Sequence, residues 1–296
     1  MKVSVVVPSV GRETLFDCLE SLKNQNYEDF EVLVVSFEKS IESRVENLGA
    51  KFIFSPKANV SFQKNLGIKE SRGEYVCFID DDAIAETSWI KNLIESFTDQ
   101  EVACVGGKIK LIIESDLAKE FKIERKIIGG FLGETLLNIE RGEIKEPLLW
   151  GSNICLRKKI FDEIGYFDEK IGRTPDLPLC NEEIEIQERV LNKGFKIIYN
   201  SKALVWHKIF PERLTESYFL QRSFWQGYSE IVASRRYENI KKFVESSKIG
   251  FWGFLMKEKI FENIFETIIS ENVNEKIFRY KKIGRIAGFL DLAKSE

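Results

Sequence analysis

This sequence of 296 residues lacks paired cysteines, a strong net charge and long apolar runs. Its five cysteines contain no CxxC pair and are odd in number, which favours reduced, buried thiols in a cytoplasm over a disulfide framework or a zinc site. A net charge of −3 gives no reason to expect nucleic-acid binding. The longest uncharged apolar run of the tail, Ile249 to Met256, is far too short to span a bilayer. Because the first residues lead straight into a strand, no signal peptide is expected.

The composition is that of a folded protein with one large domain or one domain and an extension. Hydrophobic residues make up 44% of the chain and charged residues 31%, which is typical of globular proteins. Strand and helix patterns alternate early in the chain, whereas apolar residues recur at helical spacing in 214–238 and 254–269. We therefore predict an α/β domain over residues 1–210 and a helical C-terminal extension over residues 211–296.

The first ninety residues alternate between apolar, β-branched runs and amphipathic stretches. The runs predict buried parallel strands at residues 3–7, 30–35, 51–54 and 75–79. This alternation predicts a doubly wound sheet, whose ligands bind outside the carboxyl ends of the strands. Three loops should meet at that edge, namely Pro8–Arg12, Ser36–Glu38 and Asp80–Asp82.

Three consecutive aspartates, Asp80, Asp81 and Asp82, follow the last of these strands. Unpaired carboxylates are costly to bury, so they must lie at the strand end. Asp80 and Asp82 point the same way if the strand geometry persists, and such oxygen ligands suit Mg²⁺ or Mn²⁺. A solvated turn or a helix start is the simpler interpretation of the triplet, and the neighbouring loops are what favour a site.

Three further features of the α/β domain each have a structural and a functional interpretation. The only histidine, His207, follows a short strand, and a lone histidine usually packs. Glu182 and Glu183 begin a helix, where acids also stabilise the helix dipole. The segment Gly151-Ser152-Asn153 interrupts a strand, and glycine there allows a ligand to approach the backbone closely.

The C-terminal extension contains a basic cluster with no acid among its members. These residues are Lys276, Arg279, Lys281, Lys282 and Arg285. The simpler interpretation is that the helices pack on the α/β domain and expose a solvated basic face. The alternative is peripheral attachment to the cytoplasmic face of an anionic membrane, through this cluster and the segment Phe251-Trp252-Gly253-Phe254.

Several short motifs occur in one order along residues 1–210. They are Val5-Val6-Val7-Pro8 with Arg12, Asn65-x-Gly67, Arg72-Gly73-Glu74-Tyr75, Phe78-Ile79-Asp80-Asp81-Asp82, Gly151-Ser152-Asn153, Gly165-Tyr166-Phe167-Asp168-Glu169, Glu182-Glu183, Arg189, Lys193-Gly194-Phe195 and His207. Each motif is weak alone, but the ordered set resembles the family 2 glycosyltransferases. The resemblance implies the GT-A fold, a Rossmann-like doubly wound mixed sheet, here with a C-terminal helical extension.

The resemblance also implies metal-dependent, inverting transfer of a sugar from a nucleoside diphosphate, UDP or GDP, to a hydroxyl of a glycan or lipid-linked acceptor. Asp82 and His207 would bind Mn²⁺ or Mg²⁺, and Asp80 would contact the ribose. Glu183 would be the catalytic base, with Glu182 as the reserve. The predicted donor-binding residues are Pro8, Ser9, Arg12, Ser36, Glu38, Asn65, Asp80, Asp81, Trp150, Gly151, Ser152 and Asn153.

Two positions depart from the family pattern. The family usually has aspartate where this chain has Glu183, whose side chain is one methylene longer. Most members also end the second strand in an aspartate that binds the nucleotide, whereas this chain has Ser36, with Glu38 two residues later. Either Glu38 takes over that contact or the contact is weaker, so the base of the donor is not determined.

Two other functions fit part of the pattern. A phosphatase of the haloacid dehalogenase type also has Asp-x-Asp after an apolar strand, but that motif normally lies nearer the N-terminus. The departures at Ser36 and Glu183 would suit a non-catalytic scaffold that binds nucleotide sugars. The presence of Asp80, Asp82 and His207 together argues against such a decayed site.

Overall fold

A computed structural model describes residues 2–113, 125–233, 270 and 272–294. Its strands are β1 (Val3–Ser9), β2 (Phe30–Ser36), β3 (Lys51–Phe54), β4 (Tyr75–Phe78), β5 (Ala83–Ala85), β6 (Val102–Ile113), β7 (Arg141–Ile144), β8 (Ile154–Arg157) and β9 (Lys196–Ile209). Its α-helices are α1 (Thr14–Lys23), α2 (Glu42–Asn47), α3 (Val60–Glu70), α4 (Trp89–Ile94), α5 (Arg125–Phe131), α6 (Ile160–Ile164), α7 (Glu182–Asn192), α8 (Glu216–Val232) and α9 (Val273–Lys294). Short 3₁₀ turns cover Lys39–Ile41, Gly151–Asn153 and Pro211–Arg213.

The described strands form one mixed sheet in the order β3-β2-β1-β4-β8-β6-β9-β5, and β7 pairs with β9. Strands β1 to β4 are parallel to one another, as the sequence predicts. The chain reverses its direction of travel across the sheet between β1 and β4. Such a reversal opens a crevice at the carboxyl ends of the two strands, and the loops Pro8–Arg12 and Asp80–Asp82 begin there.

The second half of the sheet contains antiparallel pairs that extend and curl the first half. Strand β8 runs antiparallel to both β4 and β6. The sequence predicts two short strands, 195–199 and 203–206, but the structure has one long strand, β9, with an irregular register near residues 201–203. Polar residues at that irregularity break the apolar pattern, which is why the pattern suggests two strands. His207 therefore lies within β9, opposite Ala83 of β5.

Both faces of the sheet are covered by helices, which places an apolar core on each side. One core joins β1 and β4 to α1, α2 and α4, and the other joins the same strands to α3, α6 and α7. Gly67 lets α3 lie directly on β1, because a side chain at that position would overlap Val6. All five cysteines are buried and free of disulfide bonds, so their predicted burial is confirmed.

Element boundaries differ from the sequence prediction mainly in the irregular parts. The sequence predicts a helix over Leu15 to Asn24 with Thr14 as its N-cap, but the helix begins at Thr14 itself, and Glu13 at the cap position makes no side-chain capping bond. The stretch 114–147, which has no clear sequence pattern, holds α5 and β7 in its described part. The segments 254–269 and Phe251–Phe254 lie outside the described residues.

In the described part of the extension, α8 packs against α9, and the two helices approach closely where Gly227 faces Lys281 and Gly284 faces Phe224. A small third core joins this pair to α5 and to the end of β9. The basic cluster of α9 is largely neutralised across this contact, since Lys281 and Arg285 pair with Glu230 and Lys276 pairs with Glu216. Among the described residues, no helix has both the length and the apolar character needed to cross a bilayer.

Candidate active site

The crevice at the carboxyl ends of β1 and β4 deepens into a cavity of about 520 Å³. Segments that are distant in sequence supply its walls: the loops after β1 and β4, the 3₁₀ turn Gly151–Asn153, the start of α7 and the end of β9. Of the predicted site residues, those that line this cavity are Pro8, Ser9, Arg12, Asp80, Asp81, Asp82, Trp150, Gly151, Ser152, Glu182, Glu183 and His207.

Asp82 and His207 form the electrostatic centre of the cavity. Nε2 of His207 lies 3.1 Å from Oδ1 of Asp82, and both side chains are buried. Burial alone would raise the pKa of Asp82, but the hydrogen bond and charge of His207 outweigh it and lower that pKa. The pKa of His207 is raised, because the bond to Asp82 outweighs burial, which lowers it.

The imidazole of His207 is held in the orientation that a metal ligand needs. Its Nδ1 atom lies 2.9 Å from the carbonyl oxygen of Leu132, so Nδ1 donates there and Nε2 is the ring atom that faces Asp82 and the cavity, where it would ligate a cation that replaces the proton shared with Asp82. Single ligand atoms of Asp80, Asp82 and His207 lie within 4.8 Å of one another, close to the roughly 4.2 Å between opposite ligands of one octahedral Mg²⁺ ion. These donors fit a hard divalent cation such as Mg²⁺ or Mn²⁺.

Asp81 connects two of the converging loops. Its Oδ2 atom accepts hydrogen bonds from the Ser9 hydroxyl at 2.7 Å and from the Val10 backbone N–H at 3.1 Å. Burial and the neighbouring charge of Asp82 raise the pKa of Asp81 to about 6. The middle aspartate therefore fixes the loop after β1 against the loop after β4, a role that the sequence does not reveal.

Two arginines complete the surroundings of Asp82. NH1 of Arg12 lies 3.4 Å from Oδ2 of Asp82 and 3.6 Å from Oδ1 of Asp81. NH2 of Arg213, from the 3₁₀ turn that follows β9, lies 3.3 Å from Oδ2 of Asp82. Their positive charges lie next to the Asp82 carboxylate. This arrangement suits the binding of an anionic ligand such as a diphosphate.

The two glutamates at the start of α7 have different surroundings. Nζ of Lys64, which is 1% exposed, donates to Oε1 of Glu182 at 2.8 Å. Burial would raise the pKa of Glu182, but Lys64 outweighs it, so that pKa is lowered. Burial and the charge of Glu182 instead raise the pKa of Glu183 to about 8. Glu182 is thus fixed as an ion pair, whereas Glu183 is the stronger base.

Gly151 makes room for this ion pair. A side chain at position 151 would begin 2.9 Å from Nζ of Lys64 and 3.8 Å from Cβ of Glu183. The glycine therefore packs against the ion pair, and a larger residue at this position would displace the ammonium group of Lys64.

Four predicted donor-binding residues do not line the cavity. Ser36 is buried at the end of β2 and accepts from the Glu38 N–H, while Glu38 accepts from the Ser40 N–H. Asn65 bonds both backbone polar groups of Phe167. The amide of Asn153 accepts from the Trp89 indole and donates to two backbone carbonyls. Their contact with a donor stays a prediction, and the bonds observed here hold the scaffold together.

Several residues that line the cavity have no sequence signal that predicts a site. Lys64 lies on a helix with little amphipathic pattern, so nothing in the sequence marks its charge as buried. Residues of the extension also line the cavity, and an ordered motif set confined to residues 1–210 cannot include them. Polar cavity residues that the sequence does not predict include Gln63, Lys64, Arg173, Arg213, Tyr218 and Arg222. The division of the chain at residue 210 stays a prediction, although both parts contribute to one cavity.

Comparison with solved structures agrees with this architecture. A structure of S. aureus TarS 1-349 in complex with UDP has a TM-score of 0.51 at 17% identity, with 100% of this chain and 91% of that chain covered. A structure of GalNAc-T7 with UDP, GalNAc and Mn²⁺ has a TM-score of 0.56 at 14% identity, with 90% of this chain and 57% of that chain covered. The mixed sheet and these neighbours define a GT-A fold.

A family profile also identifies the sequence family of the chain. The profile of glycosyl transferase family 2 matches residues 4–165, more than half of the chain. The chain belongs to this family and is a glycosyltransferase. A relative that is 28% identical over 251 residues, with 80% of this chain and 79% of its own length covered, is a glucosyl-dolichyl phosphate glucuronosyltransferase of Haloferax volcanii.

Proposed function

We propose that the chain transfers a sugar from a nucleoside diphosphate to a hydroxyl of a glycan or lipid-linked acceptor, with inversion and with a divalent cation. The observation that carries the proposal is the shared cavity. It holds a candidate metal centre of Asp80, Asp82 and His207 and a buried, strongly basic carboxylate at Glu183.

The donor is proposed to bind at the Asp82 side of the cavity. Arg12 and Arg213 already lie within 3.4 Å of the Asp82 carboxylate, so their guanidinium groups can turn to the oxygens of a diphosphate. The loop of Pro8 and Ser9, fixed by Asp81, would line the nucleoside. Asp80 would face the cation with one carboxylate oxygen and accept a hydrogen bond from the ribose with the other. A divalent cation bound at this centre would act as a Lewis acid toward the charge that develops on the leaving diphosphate.

The acceptor is proposed to bind on the Glu183 side. Transfer with inversion in a single step needs a base that takes the proton of the attacking hydroxyl on the face opposite the leaving group. Glu183 lines the cavity and is the stronger base of the glutamate pair, because the bond from Lys64 keeps Glu182 ionised. Glu182 then keeps a fixed negative charge beside the base and opposes its ionisation.

Names of related proteins support the substrate classes. One solved neighbour is a complex with UDP, and another is a complex with UDP, GalNAc and Mn²⁺. The Haloferax relative is named for a dolichyl phosphate substrate. These names favour a UDP-linked donor and a lipid-linked acceptor. Because Ser36 and Glu38 replace the usual nucleotide-binding aspartate, the identity of the nucleotide base is left to experiment.

The pH dependence of transfer should report the pKa of Glu183. The base must be ionised, and its pKa is about 8, so kcat/KM should rise roughly tenfold per pH unit below that value and level off above it. A pH profile of transfer with Mg²⁺, with donor binding measured at each pH as the control, tests this expectation. A flat profile across that range, with donor binding unchanged, would rule out Glu183 as the titrating base.

A thermal-shift panel of UDP-, GDP- and other nucleotide sugars tests the proposal as a whole. With Mn²⁺ present, the matching donor should stabilise the protein by about 2.7 kcal/mol at a concentration of 100 Kd, and EDTA should remove the shift. The non-catalytic scaffold predicts the same shift without turnover, so release of nucleoside diphosphate is measured in parallel. If no nucleotide sugar of the panel raised the melting temperature, the proposal would be contradicted.

A further inference from the structure

Arg222 of α8 lines the cavity but has no carboxylate partner within hydrogen-bonding or ion-pair distance among the described residues. Its NH1 group donates to Sγ of Cys180 at 2.9 Å. A thiol is a weak acceptor, whereas a guanidinium carries five N–H donors that need partners when they are withdrawn from water. Within the described part of the chain, this sulfur is the acceptor that Arg222 has, so its remaining N–H groups can bind a ligand in the cavity.

The same face of α8 fixes the residues that lead into the base-bearing helix α7. The Ser229 hydroxyl accepts from the Cys180 N–H at 3.1 Å. The Gln226 amide donates to the Asn181 side chain at 2.8 Å, and Asn181 has a φ of 83°. Because Asn181 immediately precedes Glu182, these contacts tie α8, the helix that carries Arg222, to the start of α7.

The charged and polar groups around Arg222 agree with a position on the Glu183 side of the cavity. Burial lowers the pKa of Arg222, but it is outweighed by nearby groups, among them Cys180, Tyr218 and Glu183, so the pKa is raised. By contrast, Arg12 and Arg213 lie against Asp82, at the proposed diphosphate position. Arg222 has no such contact with Asp82 and lines the cavity from the helix that is tied to the start of α7.

We propose that Arg222 forms a second anion-binding subsite, which holds a phosphate or carboxylate carried by the acceptor or by the transferred sugar. The inference rests on the proposed function, because it places this anion near the reacting hydroxyl. The planar guanidinium can bind either group through two parallel hydrogen bonds. Tyr218, one helical turn earlier on α8, and Arg173 line the same cavity and would supply further donors.

Binding of small probes to the protein with its donor side filled tests the subsite. The protein is saturated with Mn²⁺ and the nucleoside diphosphate that the panel selects, and then titrated with methyl glucoside, glucose 1-phosphate or methyl glucuronide. At least one anionic probe should bind about tenfold more tightly than the neutral glucoside, as expected for charge-assisted bidentate hydrogen bonds. A preference for glucose 1-phosphate would identify a phosphate, and a preference for the glucuronide a carboxylate.

Three variants separate recognition from structure. Arg222→Gln should bind the anionic probes no better than methyl glucoside, and Arg222→Lys, which keeps the charge but loses the planar fork, should keep part of the preference. Arg44→Gln removes an exposed arginine that pairs with Glu13 and should leave the preference intact. Equal binding of all three probes to the wild type, or a preference that survives in both Arg222 variants, would overturn the inference. Failure of every nucleoside diphosphate to bind would overturn the proposed function itself.

Discussion

Asp82→Asn is expected to reduce sugar transfer by about 10²- to 10³-fold or more, because it removes the charge at the centre of the donor site. In the structure His207, Arg12 and Arg213 all converge on this one carboxylate. An amide of the same size cannot neutralise these groups and is a weak ligand for a hard cation. The measurement is the rate of transfer, or of nucleoside diphosphate release, at saturating donor with Mn²⁺.

The matched control for this change is Asp162→Asn. Asp162 is an exposed residue of α6, so its neutralisation should leave the rate unchanged. Melting temperatures of both variants show whether the loss reflects unfolding, since Asp82 is buried. A folded Asp82→Asn protein with wild-type turnover would show that the metal assignment is wrong.

Glu183→Gln is expected to lower turnover by about 10²- to 10⁴-fold, the usual contribution of a general base, while donor binding stays as in the wild type. Glutamine preserves the size of the side chain but cannot accept the proton of the attacking hydroxyl. Glu183→Asp restores the acid that the family usually has at this position, and it should retain more activity than Glu183→Gln. The measurement is single-turnover transfer alongside the affinity for the donor.

Glu182 provides the contrast that separates the two acids. Glu182→Gln removes the anion that pairs with Lys64, so it should lower the melting temperature, because a buried lysine is left without its counterion. If Glu183→Gln turned over normally and Glu182→Gln did not, the roles of the pair would have to be exchanged.

The sequence is most informative where local pattern and chemistry coincide. Four β-branched, apolar runs predict the parallel strands, and the strand order then places the carboxyl ends of β1 and β4 side by side. That placement is what brings Ser9 and Arg12 to the aspartate triplet. The pairing of Asp82 with His207, 125 positions later in the chain, follows from the family resemblance and not from any periodicity.

Long-range packing accounts for what the sequence does not reveal. Asn65 and Asn153 belong to motifs that predict ligand contact, yet both are satisfied by the backbone of neighbouring segments. Lys64 becomes part of the site only because α7 brings Glu182 within 2.8 Å of it. Arg213 and Arg222 belong to the extension. Its helical pattern does not predict which side chains line the cavity.

Titration of the selected nucleoside diphosphate into the wild-type protein shows whether Asp80, Asp82 and His207 bind a cation that holds the donor. Calorimetry in Mn²⁺ and in EDTA gives the two dissociation constants, and Asp82→Asn serves as the third arm. We expect the nucleoside diphosphate to bind at least about tenfold more tightly with Mn²⁺ than with EDTA, and we expect no such difference in the variant. Equal affinity with and without the cation in the wild type would contradict this expectation.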